Sequence, residues 1–579
     1  MAGSMLGTAI TGLQAFQRSL ETTSHNITNV NTEGYSRQRV DLVTKKEELI
    51  GVGYLGKGVS INNITRSYNQ FITTQLRSST SAFGDVDRYS QLATQVDDIL
   101  ADPTVGMSPA IKNFFNAVND ATDDPSSIPA RQVLLSETEI VASRFDTMNA
   151  RFTEIREQVN TDVVVMADEI TAFAKSIADL NIQIANAQGQ ASGDQQPNDL
   201  LDKRDTVLNQ LAELVDISVV PGNSEMVSVF MGQGQVLVLD GNANEISTQP
   251  SKFDPTTLDV TLKTASGIET VVTSQVTGGA LAGTLRFRDE VLDPAQQRLG
   301  AVAASIAMEF NNIHETGYDL DGNLGGLYFK GQGMGTDSIP VAASSTNAVT
   351  SSVNVMFDKA NVKNIDFSDY QLDVAAGPIY TLTRIADNTS IQLTNTAGVL
   401  TATPVIPANE LPGITISILP VGGLAAGDSF LIRPTFTAAS TIGQNITDPR
   451  KVALATNIAT DSNNVDYVVN GPMPGDNRNG LLLAGLENKQ GMLGETASFQ
   501  DAYGLVVSEV GVLTSSAQIA TAAQETLLNN AKDSWSNVSG VNLDEEAANL
   551  IKFQQSYQAA AQMISVSNSL FESLIGAVR

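Results

Sequence analysis

From residue 130 to residue 188 the chain contains neither Gly nor Pro. Its apolar residues there are Val141, Phe145, Met148, Phe152, Ile155, Val159, Val163, Met166, Ile170, Phe173, Ile177, Leu180 and Ile184. The steps alternate between three and four residues, with one four–four step at Val159–Val163, which is the period of a helix with a single buried stripe. Pro129 suits the first helical turn and Gly189 suits a stop. At 1.5 Å per residue the helix would span about 90 Å, longer than a compact domain, so it predicts a rod. Shorter helices read at 85–101, at 109–121 (Ser108 as cap, Pro109 at the first position) and at 198–215.

From 216 the period changes to two. ISVV, MVSVF, QVLVLDG and LDVTLKT alternate between Gly-rich breaks. A helix returns at 290–314, and a second β-rich stretch covers about 318–445, rich enough in Thr, Val and Ile to predict an antiparallel sandwich or barrel. Helix resumes near 476–489 and at 499–533, where Phe499, Val506, Leu513, Ala520 and Leu527 recur by sevens. The expected fold class is multidomain α+β, with a long coiled-coil-like helical stem from both N- and C-terminal parts and inserted antiparallel β domains. The expected units are 1–40 with 540–579 as a terminal coiled coil, 41–215 with 450–539 as the stem, 216–317 as a β domain with its returning helix, and 318–449 as an outer β domain. An insert closed in this way is expected to be removable over about 325–445 without loss of the stem.

The two ends share a pattern. Leu6, Leu13, Leu20 and Ile27 recur every seven residues, with Ala9, Phe16, Thr23 and Val30 at +3. At the other end Leu543, Leu550, Tyr557, Ile564, Phe571 and Val578 recur every seven, with Phe553, Ala560, Ser567 and Leu574 at +3. This is a coiled-coil seam, and each stripe is too narrow to fold alone. The expectation is that the ends pair with each other or with other subunits.

Composition narrows the function. The net charge is −29, which argues against a nucleic-acid partner, because phosphate binding needs a basic surface. The first 77 residues sum to +3 and the last 39 to −2, leaving −30 in the middle. There is no run of 18 apolar residues, so no membrane span is expected, and the N-terminus does not read as a cleaved signal. With no Cys and only His25 and His314, thiolate chemistry is excluded and a His-based centre would have only two residues to draw on. Asp319-Leu-Asp-Gly-Asn323 places its Gly and its position-12 residue, Lys330, wrongly for a calcium loop, so it reads as a polar turn. Gly331-Gln-Gly-Met-Gly335 lacks a following helix to cradle phosphate. Acid pairs such as Asp97–Asp98 and Asp123–Asp124 read as solvated faces, and His314 as a helix-terminal residue favoured by the dipole. No cofactor, metal or catalytic residue is expected.

The ends also carry a resemblance. Ser24-His-Asn-Ile-Thr-Asn-Val-Asn-Thr-Glu-Gly-Tyr-Ser-Arg37 resembles the N-terminal signature of the bacterial flagellar rod, hook and hook-associated proteins. Ser539-Gly-Val-Asn-Leu-Asp-Glu-Glu-Ala-Ala-Asn-Leu-Ile-Lys-Phe-Gln-Gln-Ser-Tyr-Gln-Ala-Ala-Ala561 resembles their C-terminal one. Leu200-Leu-Asp-Lys-Arg-Asp205, Gly283-Thr-Leu-Arg-Phe-Arg-Asp-Glu-Val-Leu-Asp-Pro294 and Pro474-Gly-Asp-Asn477 look like the hook-associated members of the hook–filament junction. The resemblance implies a structural adaptor between hook and filament, exported unfolded by the flagellar type III pathway without a cleaved signal. It implies terminal helices that are disordered in the monomer and fold into an inner tube on assembly. The implied partners are copies of the chain, the hook protein, the next hook-associated protein, and an export chaperone on the C-terminal helix. The implied assembly residues are the seam positions Leu6, Leu13, Phe16, Leu20, Ile27, Leu543, Leu550, Phe553, Tyr557, Ile564, Phe571, Leu574 and Val578. A hook or rod protein is the alternative within the class, opposed by the long helical run. A secreted glycan-binding protein or hydrolase is the alternative outside it; such β-domain sites use aromatics, yet the one Trp, Trp535, lies in the helical C-terminal part.

Overall fold

The computed structural model describes residues 2–50, 53–102, 106–190, 195–348, 352–365, 367–377, 379–402, 413–419, 424–456, 458–460, 466–468 and 475–578. The helices are α1 Ala2–Thr28, α2 Gln70–Ala101, α3 Met107–Asp123, α4 Ile128–Gln190, α5 Asn198–Leu214, α6 Gly279–Phe287, α7 Asp293–His314, α8 Ala438–Thr441, α9 Arg478–Gly485, α10 Phe499–Ser539 and α11 Leu543–Val578.

The rod read from the sequence is α4, a single helix of 63 residues that buries the expected stripe from Val141 to Ile184, with Ala174 fully buried beside a half-buried Phe173. At the centre of the stem is α7, whose Leu299, Val302, Ile306 and Phe310 are sealed from solvent. The helices α4, α8, α9 and α10 pack around it. The α10 helix lies along α2, and the Tyr503 hydroxyl donates to the Leu100 carbonyl at 2.8 Å, so both halves of the chain build one stem. A π turn, Arg288–Leu292, joins α6 to α7 where Pro294 removes a main-chain donor.

Several boundaries differ from the sequence reading. The returning helix grouped with the first β region belongs to the stem core. Within 41–66, assigned to the stem, the strands Gln38–Thr44 and Val59–Arg66 pair with each other and pack on α1. The α2 helix starts at Gln70 behind the cap Asn69, far before 85, because its early buried face is Thr73, Leu76, Arg77, Thr80 and Ser81, which carries little apolar signal. The α3 helix starts at Met107, so Ser108 and Pro109 lie inside its first turn and Ser108 is not the cap.

The first β region is a four-stranded sheet (Ile217–Pro221, Val227–Met231, Gln235–Leu239, Asn242–Ala243) and a three-stranded one (Glu245–Pro250, Leu258–Lys263, Glu269–Val271). Both are fastened to α4 by polar side chains. The Asn181 amide donates to the carbonyls of Val227 and Asp240, and Thr171 exchanges hydrogen bonds with the Ile246 main chain.

The outer region is a closed sheet rather than a sandwich. Its order is Val341–Ala343, Ser429–Ile432, Tyr370–Ala375, Ile379–Arg384, Ser390–Thr396, Val399–Ala402, Ile414–Leu419, Ser352–Phe357. The two edges meet where the Ile339 N–H donates to the Val355 carbonyl at 2.8 Å, which removes the free edges. The chain leaves the stem at Phe329–Lys330 and returns at Gly443–Gln444, and these strands pair. Its flanks are stem core. Tyr328 and Phe329 pack on Phe114 and Phe310, the Tyr328 hydroxyl meets Thr138 at 2.6 Å, and α8 packs on α4 and α7. Removing 325–445 would therefore take part of the stem with it, against the expectation.

His314 is also not the charged helix terminus that was expected. It is sealed from solvent, with Nδ1 on the Gly326 carbonyl at 2.7 Å and Nε2 accepting from the Ala453 N–H at 2.8 Å. Burial lowers its pKa to about 4, so the ring is neutral and acts as a bridge.

Candidate assembly site at the paired termini

The α1 and α11 helices pack against each other along their length. The seam on α11 runs through Glu546, Leu550, Phe553, Tyr557, Ala560, Ile564 and Ser567. Of these, Glu546, Ala560 and Ser567 are buried, and Leu550, Phe553, Tyr557 and Ile564 are half-buried. Leu543 and Phe571 are exposed, and the side chains of Leu574 and Val578 lie outside the described residues. On α1 the centre of the contact is a row of small and polar side chains: Ala9, Ala15, Ser19, Thr22, Thr23 and Asn26. Leu6, Leu13, Phe16, Leu20 and Ile27 flank that row half-buried. The sequence reading put the large residues at the centre. Small ones occupy it because they let the helix axes approach closely.

The motif after α1 forms a hydrogen-bonded knot. Asn26 is 1 % exposed and uses all four of its amide positions. Its Oδ1 accepts from the Tyr35 hydroxyl at 2.8 Å and the Gln38 N–H at 2.9 Å. Its Nδ2 donates to the Gln38 carbonyl at 2.8 Å and to Glu546 Oε2 at 3.2 Å. Because the Tyr35 hydroxyl donates to Asn26, it accepts from His25 Nδ1 at 3.0 Å. Burial, with Asp199, Asp202 and Glu546 nearby, pushes the Tyr35 pKa up and keeps that donor protonated. Arg37 pairs with Glu545 at 2.6 Å and stands 3.8 Å from Glu546, while its N–H donates to the Ser539 carbonyl. At the start of α11 the Asn542 side chain accepts from the N–H groups of Asp544 and Glu545, and three acids occupy the positive end of the helix.

The Leu200–Asp205 motif clasps this knot to the stem. Asp202 accepts from the Ser36 N–H at 3.0 Å and pairs with Arg66 at 3.0 Å. Asp205 bridges Arg66 at 2.5 Å and Arg77 of α2 at 2.6 Å. Burial raises the Asp202 pKa against the pull of Ser36 and Arg66. Gly34 has a φ of +75°, and a Cβ there would sit 2.0 Å from Thr206 Oγ1, so only Gly lets the turn close on α5. The sequence reading used these stretches as a signature without assigning roles to Asn26, Tyr35, Arg37, Asp202, Asp205 or Glu546. Polar residues beside an apolar stripe were the available signal.

Much apolar surface stays open on the outer faces. On α11 it includes Ile551, Met563, Val566, Leu570, Phe571 and Ile575, and on α10 Leu505, Val512 and Ile519. By length and composition alone, a stretch within Phe499–Ser573 is apolar enough to cross a membrane. Counting uninterrupted apolar runs passed over it. Among the described residues no three His, Asp or Glu side chains are grouped as a metal site. Asp319 closes its turn by accepting from the N–H groups of Asp321 and Asn323.

Comparison with known proteins places this architecture. Family models match at residues 93–329 (flagellar hook-associated protein FlgK helical domain), 534–577 (flagellar basal body rod FlgEFG protein C-terminal) and 6–35 (flagella basal body rod protein). Flagellar hook-associated protein 1 of Salmonella typhimurium is 32 % identical over 575 residues, 99 % of each chain. The chain belongs to the flagellar hook-associated protein 1 family. The Escherichia coli member is 31 % identical over 576 residues, covering 99 % of each chain. The fold is that of the flagellar hook junction protein FlgK from Burkholderia pseudomallei, with a TM-score of 0.70 at 24 % identity over 80 % of this chain and all of that one. Within the family frame, the two rod-protein matches fall on α1 with its motif and on the last residues of α10 with α11, the elements that build the knot.

Proposed function

We propose that this member of the family is a structural adaptor of the bacterial flagellum, joining hook to filament by assembling through α1 and α11. The observation that carries the reading is the pairing of the two termini into a helical unit whose outer face remains apolar and uncovered. Such a face needs neighbours, and copies of the same chain in a tube supply them. Flanking partners would be the hook protein on one side and the next hook-associated protein on the other, with an export chaperone on α11 before assembly. A chain without Cys suits export in the unfolded state through the flagellar type III route. We read the chain as structural rather than catalytic. The outer apolar surface of α10 and α11 is read as subunit contact rather than lipid contact, because it is continuous with helices clasped to a polar, acidic stem.

Electron microscopy of cells lacking this protein tests the reading. Hooks should remain, filaments should be missing, and filament protein should collect in the medium. Normal filaments in that strain would overturn it.

A further inference from the structure

Where the strand Ser429–Ile432 ends, the chain turns back to the stem through Arg433, whose side chain is 13 % exposed. Each nitrogen of its guanidinium faces a carboxylate from a different unit. Nε donates to Asp369 Oδ2 of the outer region at 2.8 Å, and Nη1 donates to Asp254 Oδ2 of the first β region at 2.9 Å. Nη2 stands 3.6 Å from Asp293 Oδ2 at the start of α7. A planar fork can serve three acceptors in fixed directions, which a single ammonium cannot. The far sides of the clasp are themselves held by α4. Its Asn160 side chain donates to the Thr256 carbonyl, beside Asp254, at 2.7 Å, and its Arg156 donates to Asp293 Oδ1 at 2.6 Å. The Phe436 ring meets both guanidinium groups, with its centroid 3.3 Å from that of Arg433 and 4.9 Å from that of Arg156.

The other ties between sheet and stem are slighter. The strands Phe329–Lys330 and Gly443–Gln444 pair over two residues each, and so short a ladder would let the sheet rock. A second foot, the turn Val362–Asn364 against α7, carries the ion pairs Lys359–Glu315 at 2.7 Å and Lys363–Glu495 at 3.2 Å. Those side chains stand in solvent, where such pairs hold little. We infer that Arg433 is a latch that fixes the eight-stranded sheet at one angle to the stem by clasping Asp254 and Asp293 across the boundary. One side chain thereby aligns the outermost part of the subunit. This concerns the set of the sheet and does not rest on the hook–filament reading, so failure in either leaves the other standing.

The chain has no Cys, so cysteines placed at the exposed Gln158 of α4 and Gln392 of the outer sheet can carry spin labels. Pulsed dipolar spectroscopy on the full-length chain should give one narrow distance distribution. Asp254→Asn keeps the Oδ1 that closes its own turn on Thr256 and alters no residue of the sheet or the stem. It should at least double the width of the distribution. Arg433→Gln with Asp369→Asn removes the latch without stranding a carboxylate in the sheet, and should broaden the distribution at least as far at unchanged circular dichroism. Asp254→Asn alone decides if that double variant loses its β signal. Lys359→Ala with Lys363→Ala should leave the width as it is. A broad distribution in the wild type, an unchanged width in either folded latch variant, or equal broadening in the lysine variant would each overturn the inference.

Discussion

The main-chain oxygen of Thr435 crosses Gly300 so closely that a Cβ there would lie 1.7 Å from it. Thr435 lies in the turn between the outer-sheet strand Ser429–Ile432 and α8, and Gly300 in the middle of α7. Gly300→Ala should therefore cost about 3 kcal/mol through overpacking. Gly504→Ala on α10, where nothing lies within 4 Å of the added Cβ, should gain about 0.5–1 kcal/mol from helix propensity. Paired thermal melts check both signs.

Where the outer sheet can be cut follows from the same contact. Val341 pairs with Ile432, so residues 341–432 can be replaced by a short Gly/Ser linker across adjacent strands. That deletion should keep the helical circular dichroism and lose β signal. Deleting 325–445 should unfold the stem, because Tyr328, Phe329, Ala438 and Ala439 go with it.

His314 makes stability depend on pH. Its folded pKa of about 4 lies below the unfolded value near 6.5. Its contribution is complete above pH 6.5 and is lost as pH falls towards 4, by about 3 kcal/mol in all. Asp369 acts oppositely. Burial raises it to about 6, so its share is greatest below its unfolded pKa and is lost as pH rises through 6. Denaturant titrations of wild type and His314→Gln between pH 4 and 7 isolate the first: the variant should lack the decline assigned to the ring.

Two seam substitutions separate folding from assembly. Phe571 is 56 % exposed, so Phe571→Asp should leave the monomer's melting unchanged while preventing incorporation into flagella. Ile564→Asp, half-buried against α1, should do both, loosening the terminal pair by about 1–3 kcal/mol. Melting of the purified protein and immunolabelled flagella read the two effects.

The sequence made α4 legible because its stripe is long, strictly periodic and bounded by Pro129 and Gly189. The α10 stripe was legible only in part. Phe499 and Val506 are buried as expected, with Tyr503 and Val510 beside them, but Thr514 takes the next place and the seam moves on through Ala517 to Leu528, leaving Leu527 exposed. An extra four-residue step cannot be told from its alternative when apolar residues stand side by side. Closure of the outer sheet depends on Ile339 meeting Val355, a pairing that local pattern does not encode. The Asn26–Glu546 contact joins residues 520 positions apart, and neither is apolar, so periodicity was blind to it.

The strands that lead out to the eight-stranded sheet and back lie side by side at Phe329–Lys330 and Gly443–Gln444. A twist applied along the stem can pass between α4 and α10 through α7 without crossing that sheet. The torsional stiffness of the subunit is then a property of its helices. The outer sheet is a side branch that can change size while the mechanical path stays the same.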